Sequence, residues 1–239
     1  MASSAADLTA RLLRYERALV ACTAILLAAF GWAFLLRGMA MRSTPPPLTA
    51  LIAMWWLMML AMMLPSAIPA ILLYSRVRQV RDADAAIAQT WLFLAGYLAV
   101  WLLFSVAAAV IQSQVARESM ALESRAAQTA VILLAGLYQL SPFKSACIGQ
   151  CRSPGQFISR HWRPGPVGAV RLGVIHGAYC VGCCWMLMAL LFVGGVMNLS
   201  WVIGLTILVA VEKLLPAELL LPKISGIALL LWGLWRVFS

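Results

Sequence analysis

The sequence predicts an all-α, polytopic transmembrane helical bundle of six or seven spans with its N-terminus in the cytoplasm. Three observations predict it. Of 239 residues, 64% are hydrophobic and 11% charged, whereas a soluble globular domain carries about 25% charged residues. Six apolar runs approach the roughly 20 residues needed to cross a hydrocarbon core, and a seventh is shorter. The basic residues fall between these runs, denser on alternate sides. The net charge of +10 therefore reads as membrane topology. No nucleic-acid partner is expected, and the lipid bilayer is the first partner.

The spans are taken in order. Residues 18–36 follow Arg11, Arg14 and Arg17 and read as an uncleaved anchor: the run is long for a signal peptide, and Gly31-Trp32-Ala33-Phe34 is a poor cleavage context. The run at 48–74 begins after Pro45-Pro46-Pro47 and contains Pro65 and Pro69. Each proline removes a backbone donor, which predicts a kink or break near Pro65. Then come 90–111 and a short run, 128–140, ended by Ser141-Pro142. A polar connection at 144–171 carries Pro154, Pro164 and Pro166, and the runs 172–196 and 199–221 follow. The last, 224–238, spans a thinned bilayer or lies re-entrant or interfacial.

With the N-terminus inside, the cytoplasmic segments hold Arg11, Arg14, Arg17, Arg76, Arg78, Arg81, Lys144, Arg152, Arg160, Arg163, Arg171 and Lys223. The opposite side holds Arg37, Arg42, Arg117, Arg125 and Arg236. That twelve-to-five excess follows the positive-inside rule. It makes 144–171 a cytoplasmic loop. The whole chain, 1–239, reads as one integral membrane domain of a bacterial inner (cytoplasmic) membrane.

Five of the six cysteines fall between Cys147 and Cys184, and Cys22 stands apart in an apolar run as filler. The strongest motif is His176-Gly-Ala-Tyr-Cys180-Val-Gly-Cys183-Cys184. On a helix, His176, Cys180 and Cys183 at i, i+4 and i+7 lie within about 60° of one another, and Cys184 widens the arc to about 100°. Cys180 lies nine residues beyond Arg171, hence about 13 Å along the helix and near mid-membrane. Thiolates and imidazole are ligands for soft or borderline metals, chiefly Cu(I) and Zn(II). Cysteine is also small apolar filler, and Gly177, Ala178 and Gly182 suit close helix packing. Ionisable residues crowded into a span favour a site over filler.

A second cluster, Lys144-Ser-Ala-Cys147-Ile-Gly-Gln-Cys151, places two thiols one helical turn apart, either completing a site with Cys180, Cys183 and Cys184 or forming an entry site. Met54, Met58 and Met62 follow one helix face; thioethers bind Cu(I) and hold Zn(II) poorly, but methionine is ordinary filler too. Met188 is a further auxiliary candidate one turn beyond Cys184. Glu212 and Lys213 lie within an apolar run. Neighbours i and i+1 do not face each other, so each needs its own partner or the helix meets water. Glu212 is a candidate acceptor for the ring N–H of His176 or a proton carrier; the alternative is an interfacial pair that snorkels. Asn198 reads as a cap.

These pieces resemble a bacterial family of multi-spanning proteins described as predicted metal-binding integral membrane proteins. The matching motifs are Ala61-Met-Met-Leu-Pro65-Ser66-Ala-Ile-Pro69, Tyr138-Gln-Leu-Ser-Pro-Phe-Lys144-x₂-Cys147-x₃-Cys151-Arg152, Gly177-x₂-Cys180-x-Gly-Cys183-Cys184-Trp185 and Gly195-x-Met197-Asn198-x₂-Trp201, with Glu212-Lys213 after them. The resemblance implies that the five clustered cysteines, Glu212 and Lys213 are family features, without identifying the metal.

The favoured function is membrane metal handling: Cu(I), ahead of zinc, held by Cys180, Cys183, Cys184, His176, Cys147 and Cys151 for transport, delivery or cuproenzyme assembly. A metal chaperone or a membrane cuproenzyme is the expected protein partner. The alternatives are a membrane thiol–disulfide oxidoreductase, another metalloenzyme, or a structural subunit. A reducing cytoplasmic side disfavours stable disulfides at Cys147 and Cys151. Two histidines in the chain, with His161 in a loop, disfavour a multi-histidine oxygen-activating centre. No phosphate-binding G-x-x-x-x-G-K-[ST] loop occurs, so pumping would need another energy source.

Overall fold

The computed structural model of the chain describes residues 18, 21–34, 47–81, 83–115, 121–215 and 220–238, all outside short connections being helical. The helices are α1 (Ala21–Phe34), α2 (Leu48–Arg81), α3 (Ala83–Val115), α4 (Arg125–Leu140), α5 (Pro142–Arg152), α6 (Pro154–His161), α7 (Gly165–Ala189), α8 (Leu191–Gly194), α9 (Leu199–Leu214) and α10 (Leu221–Phe238). Arg11, Arg14, Arg17, Arg37, Arg42 and Arg117, on which part of the charge asymmetry rests, lie outside the described residues, as do Pro45, Pro46, Pro216 and Glu218.

Among the described residues four helices are long and apolar enough to cross a membrane: α2, α3, α7 with α8, and α10. They become five if α4 and α5, bent by 64° at Ser141–Pro142, count as one. α1, within the first expected span, has 14 residues, and α9 has 16. The run at 224–238 lies in an 18-residue helix, about 27 Å long against a hydrocarbon thickness of about 30 Å. Its side is largely exposed, with Gly226 and Gly233 buried.

Two expectations are corrected. Of the kink or break expected near Pro65, the break does not occur: α2 runs unbroken through Pro65 and Pro69 for 34 residues. The carbonyls left without an N–H by these prolines are those of Ala61 and Pro65. Between them the chain is tied to α3 at Met63, whose carbonyl accepts from Ser66 Oγ at 2.8 Å and from Tyr97 Oη at 3.3 Å. The stretch 144–171 is not an extended loop either. It holds α5, α6 and the start of α7. Proline stands in the first turn of all three helices, where its missing N–H costs nothing, so Pro142, Pro154 and Pro166 start helices there. Ser141 Oγ caps Lys144 N at 3.2 Å, and Asn198 Oδ1 caps Trp201 N at 3.3 Å as expected.

The core is built around α2 and α7. Every residue from Met58 to Leu64 is buried, which an all-round apolar helix requires. α3 packs along both α2 and α7, α5 lies against α7, α9 touches α2 and α7, and α10 pairs with α4. Small residues set the α3–α7 distance. A Cβ on Gly173 would stand 2.0 Å from the carbonyl oxygen of Phe93, and one on Gly96 would stand 2.4 Å from that of Val170. Close backbone approach of this kind drives helix association where the hydrophobic effect does not.

Gly173→Ala is expected to force α3 from α7 and cost about 1–3 kcal/mol. Gly204→Ala, with nothing within 4 Å of the added carbon, should be neutral or slightly stabilising. Thermal unfolding in detergent followed by circular dichroism checks the pair. Equal melting of the two variants would refute the close crossing.

Candidate functional site

α7 carries the thiols inward. His176, Cys180, Cys183 and Cys184 are all buried on it, as their shared arc predicts. The thiols of Cys183 and Cys184 hydrogen-bond back to the carbonyl of Cys180 at 3.1 and 3.0 Å. The sulfur of Cys180 lies 3.3 Å from Tyr97 Oη and 3.0 Å from Lys213 Nζ. Cys184 Sγ is 3.9 Å from Met63 Sδ, and Lys213 Nζ is 3.4 Å from the same thioether. Cys151 of α5, half-buried, lies close enough to Cys180 and Cys183 to interact electrostatically with both thiols. Three buried thiols, a thioether, a phenol and an ammonium from α2, α3, α7 and α9 thus meet in one group, with the half-buried Cys151 of α5 at its edge.

The bend after α4 brings the second cysteine pair in. It lays α5 on α7, so that Cys151 joins the thiols. Cys147 packs one turn back: a Cβ on Gly182 would stand 3.0 Å from its sulfur. The absence of that carbon lets the thiol pass close to α7. Tyr138 of α4 donates its hydroxyl to the carbonyl of Gly182.

Glu212 and Lys213 diverge, as adjacent helical residues must. Glu212, 2% exposed, turns towards α4, α5 and α10. Its Oε2 is 2.5 Å from Lys144 Nζ, and its Oε1 accepts from Gln139 Nε2 at 2.8 Å and Ser225 Oγ at 3.0 Å. Lys144 also donates to Gln139 Oε1, and Arg152 Nε donates to the Glu212 carbonyl at 2.7 Å. The pair does not snorkel: both residues are interior.

Glu212 does not serve His176. Its carboxylate is taken by Lys144, Gln139 and Ser225. His176 instead sits among rings, with centroids 5.1 Å from Phe157, 5.7 Å from Tyr97 and 5.9 Å from Phe93. Its Nδ1 is buried without a hydrogen-bond partner among the described residues. Met58 and Met62 are core residues of α2, and Met188 is buried a turn beyond Cys184. The methionine brought to the thiols is Met63. Cys22 is exposed on α1, whereas Cys180, Cys183 and Cys184 are buried.

Met63, Tyr97, Gln139 and the role of Lys144 escaped the sequence reading. Met59 and Met63 form an i, i+4 pair as good as Met58 and Met62, and periodicity alone does not say which face of an all-apolar helix meets α7. A glutamine and a lysine near the end of a span, at Gln139 and Lys144, were the available signal for the partner that Glu212 required.

Among the described residues no three His, Cys, Asp or Glu side chains form a group arranged to hold a metal ion. What lies among the sulfurs is the ammonium of Lys213. The donors near it are nonetheless of one chemical kind: thiols and a thioether suit a soft ion, and the nearest buried carboxylate points away from them.

A family model named PpoB2 and described as a copper chaperone matches residues 52–236. Comparison with curated proteins and with solved structures gave no match.

Lys144→Met leaves the Glu212 carboxylate buried without its cation and is expected to cost about 3–5 kcal/mol. The double change Lys144→Met with Glu212→Leu should recover most of that loss. Thermal unfolding of the three proteins checks the cycle. A single variant as stable as the parent would mean that the pair is not closed in the folded chain.

Proposed function

The chain belongs to the PpoB2 family of copper chaperones, and from that premise we propose that it handles Cu(I) within the membrane, with Cys180, Cys183 and Cys184 of α7 and Cys151 of α5 as its thiol ligands. The observation that carries this reading is the packing of α5, with Cys147 and Cys151, onto the thiol-bearing stretch of α7, where a Cβ on Gly182 would stand 3.0 Å from the Cys147 sulfur. Filler cysteines have no reason to meet across helices, whereas a soft monovalent ion requires two or three sulfurs from neighbouring elements. Met63, 3.9 Å from Cys184, adds a neutral sulfur that favours Cu(I) over Zn(II).

The route follows the proposed topology. With the N-terminus inside, in six or seven spans of a bacterial inner membrane, the end of α5 faces the cytoplasm, where copper is Cu(I). Cys147 and Cys151 then receive the ion from a cytoplasmic metal chaperone, and the α7 thiols take it deeper by exchange of one sulfur at a time. His176, one turn from Cys180 on its cytoplasmic side and with an unpartnered ring nitrogen, is a further donor on α7 beside the entry. Delivery to a membrane cuproenzyme completes the function. Gln139, Lys144, Glu212 and Ser225 bind no cargo in this scheme; they fix α4, α5, α9 and α10 around it.

Elemental analysis of the detergent-purified protein, loaded anaerobically with Cu(I), tests the site. The parent and Cys22→Ser should carry near-stoichiometric copper. Cys180→Ser with Cys183→Ser should weaken binding by more than the roughly 10–100-fold that loss of an outer-shell partner costs. Unchanged binding in the double variant would sink the assignment. Zinc in place of copper would point to a structural or hydrolytic site, and no metal in the parent to thiol redox chemistry. For topology, a reporter active only in the periplasm and fused after Arg160 should be silent. Activity there would invert the orientation.

A further inference from the structure

Lys213 stands where a bundle in lipid has least reason to put a cation. It is 6% exposed, and its Nζ contacts sulfur: Cys180 at 3.0 Å and Met63 at 3.4 Å. The carboxylate beside it in sequence is committed to Lys144, Gln139 and Ser225 on the far side of α9. Burying a lysine in an apolar interior is costly and calls for a function. Anchoring α9 would need no charge, since Leu205 and Val209 already bury the same helix.

Taking the thiol cluster as the cargo site proposed above, we propose that Lys213 is its charge filter: a fixed ammonium that admits a monovalent soft ion and rejects a divalent one of equal softness. Any ion bound to the Cys180 sulfur becomes a neighbour of Lys213, because that sulfur is 3.0 Å from Nζ. Repulsion between the ammonium and the ion doubles when the ion carries two charges. At contact distances inside a protein this difference is on the order of 100-fold or more in affinity ratio. Sulfur softness cannot make that distinction, since thiolates hold both classes. Two thiolates with a monovalent ion leave one negative charge, which the ammonium cancels. With a divalent ion they leave none, and the lysine becomes an uncompensated buried charge.

The test uses Ag(I) and Cd(II), thiophilic ions of the same electron count that differ in charge. Their binding to the full detergent-purified chain is measured by competition, and the readout is the affinity ratio. The parent should prefer Ag(I), Lys213→Met should lower the ratio on the order of 100-fold, and Lys213→Arg should restore it. A role in packing alone would move stability and leave the ratio in place. If Lys213→Met keeps the ratio within a few-fold while Cys180→Ser with Cys183→Ser loses both ions, the filter is overturned and the thiol site stands. If the parent binds neither ion, the site falls, and the filter with it. Should Lys213→Met fail to fold, the parent is compared with a small dithiol such as dithiothreitol. A parent ratio well above that of the dithiol supports the filter, and an equal ratio overturns it.

Discussion

Glu212 and Lys213 are joined by one peptide bond and serve two different clusters. In hydrocarbon a charge is tolerated only where its partner is already in place. The carboxylate therefore requires Lys144 within contact, and Lys144 requires α5 to fold back beneath α4. The ammonium requires the sulfur of Cys180, and that sets α9 against α7. The rest of the arrangement follows from these two demands. With Glu212 paired at 2.5 Å and Lys213 against sulfur at 3.0 Å, the rotation of α9 about its axis is settled to within a fraction of a turn.

Helix packing supplies the same order from the opposite direction. Gly96 and Gly173 let α3 and α7 approach backbone to backbone. That approach carries Tyr97 to Cys180 and to the carbonyl of Met63. One phenol thus links the proline-bearing α2 with the thiol-bearing α7. The residue that ties α2 to α3 beside Pro65 is also the one that touches the thiols. Stability and chemistry share these atoms, so substitutions at Tyr97 cannot be assigned to one without a measurement of the other.

How much of this was legible in the sequence differs by residue. The helical class, the thiol arc of α7 and the separate partners of Glu212 and Lys213 followed from composition, from a 100° step and from the cost of buried charge. Each is a local or solvent-level rule. Met63, Tyr97 and Gln139 did not follow, because α2 and α3 are apolar on nearly every side and such helices announce no preferred face. The break forecast at Pro65 failed because local rules leave out the neighbours that stabilise a disturbed turn. The loop forecast over 144–171 failed because prolines were read as breakers, while three of them stand at helix starts. The pairing of Glu212 with His176 was chemically sensible, yet Lys144 is a stronger partner for a carboxylate than an imidazole N–H.

The 64° bend at Ser141–Pro142 makes α5 a lever. Cys151 lies nine residues beyond that hinge, an arm of about 14 Å. A change of 10° in the bend would swing its sulfur by roughly 2.5 Å on that arm, the difference between touching Cys180 and standing clear of it. The number of thiols gathered on α7 is therefore tied to one backbone angle a whole helix away. How many sulfurs meet in this protein is a mechanical quantity as much as a chemical one.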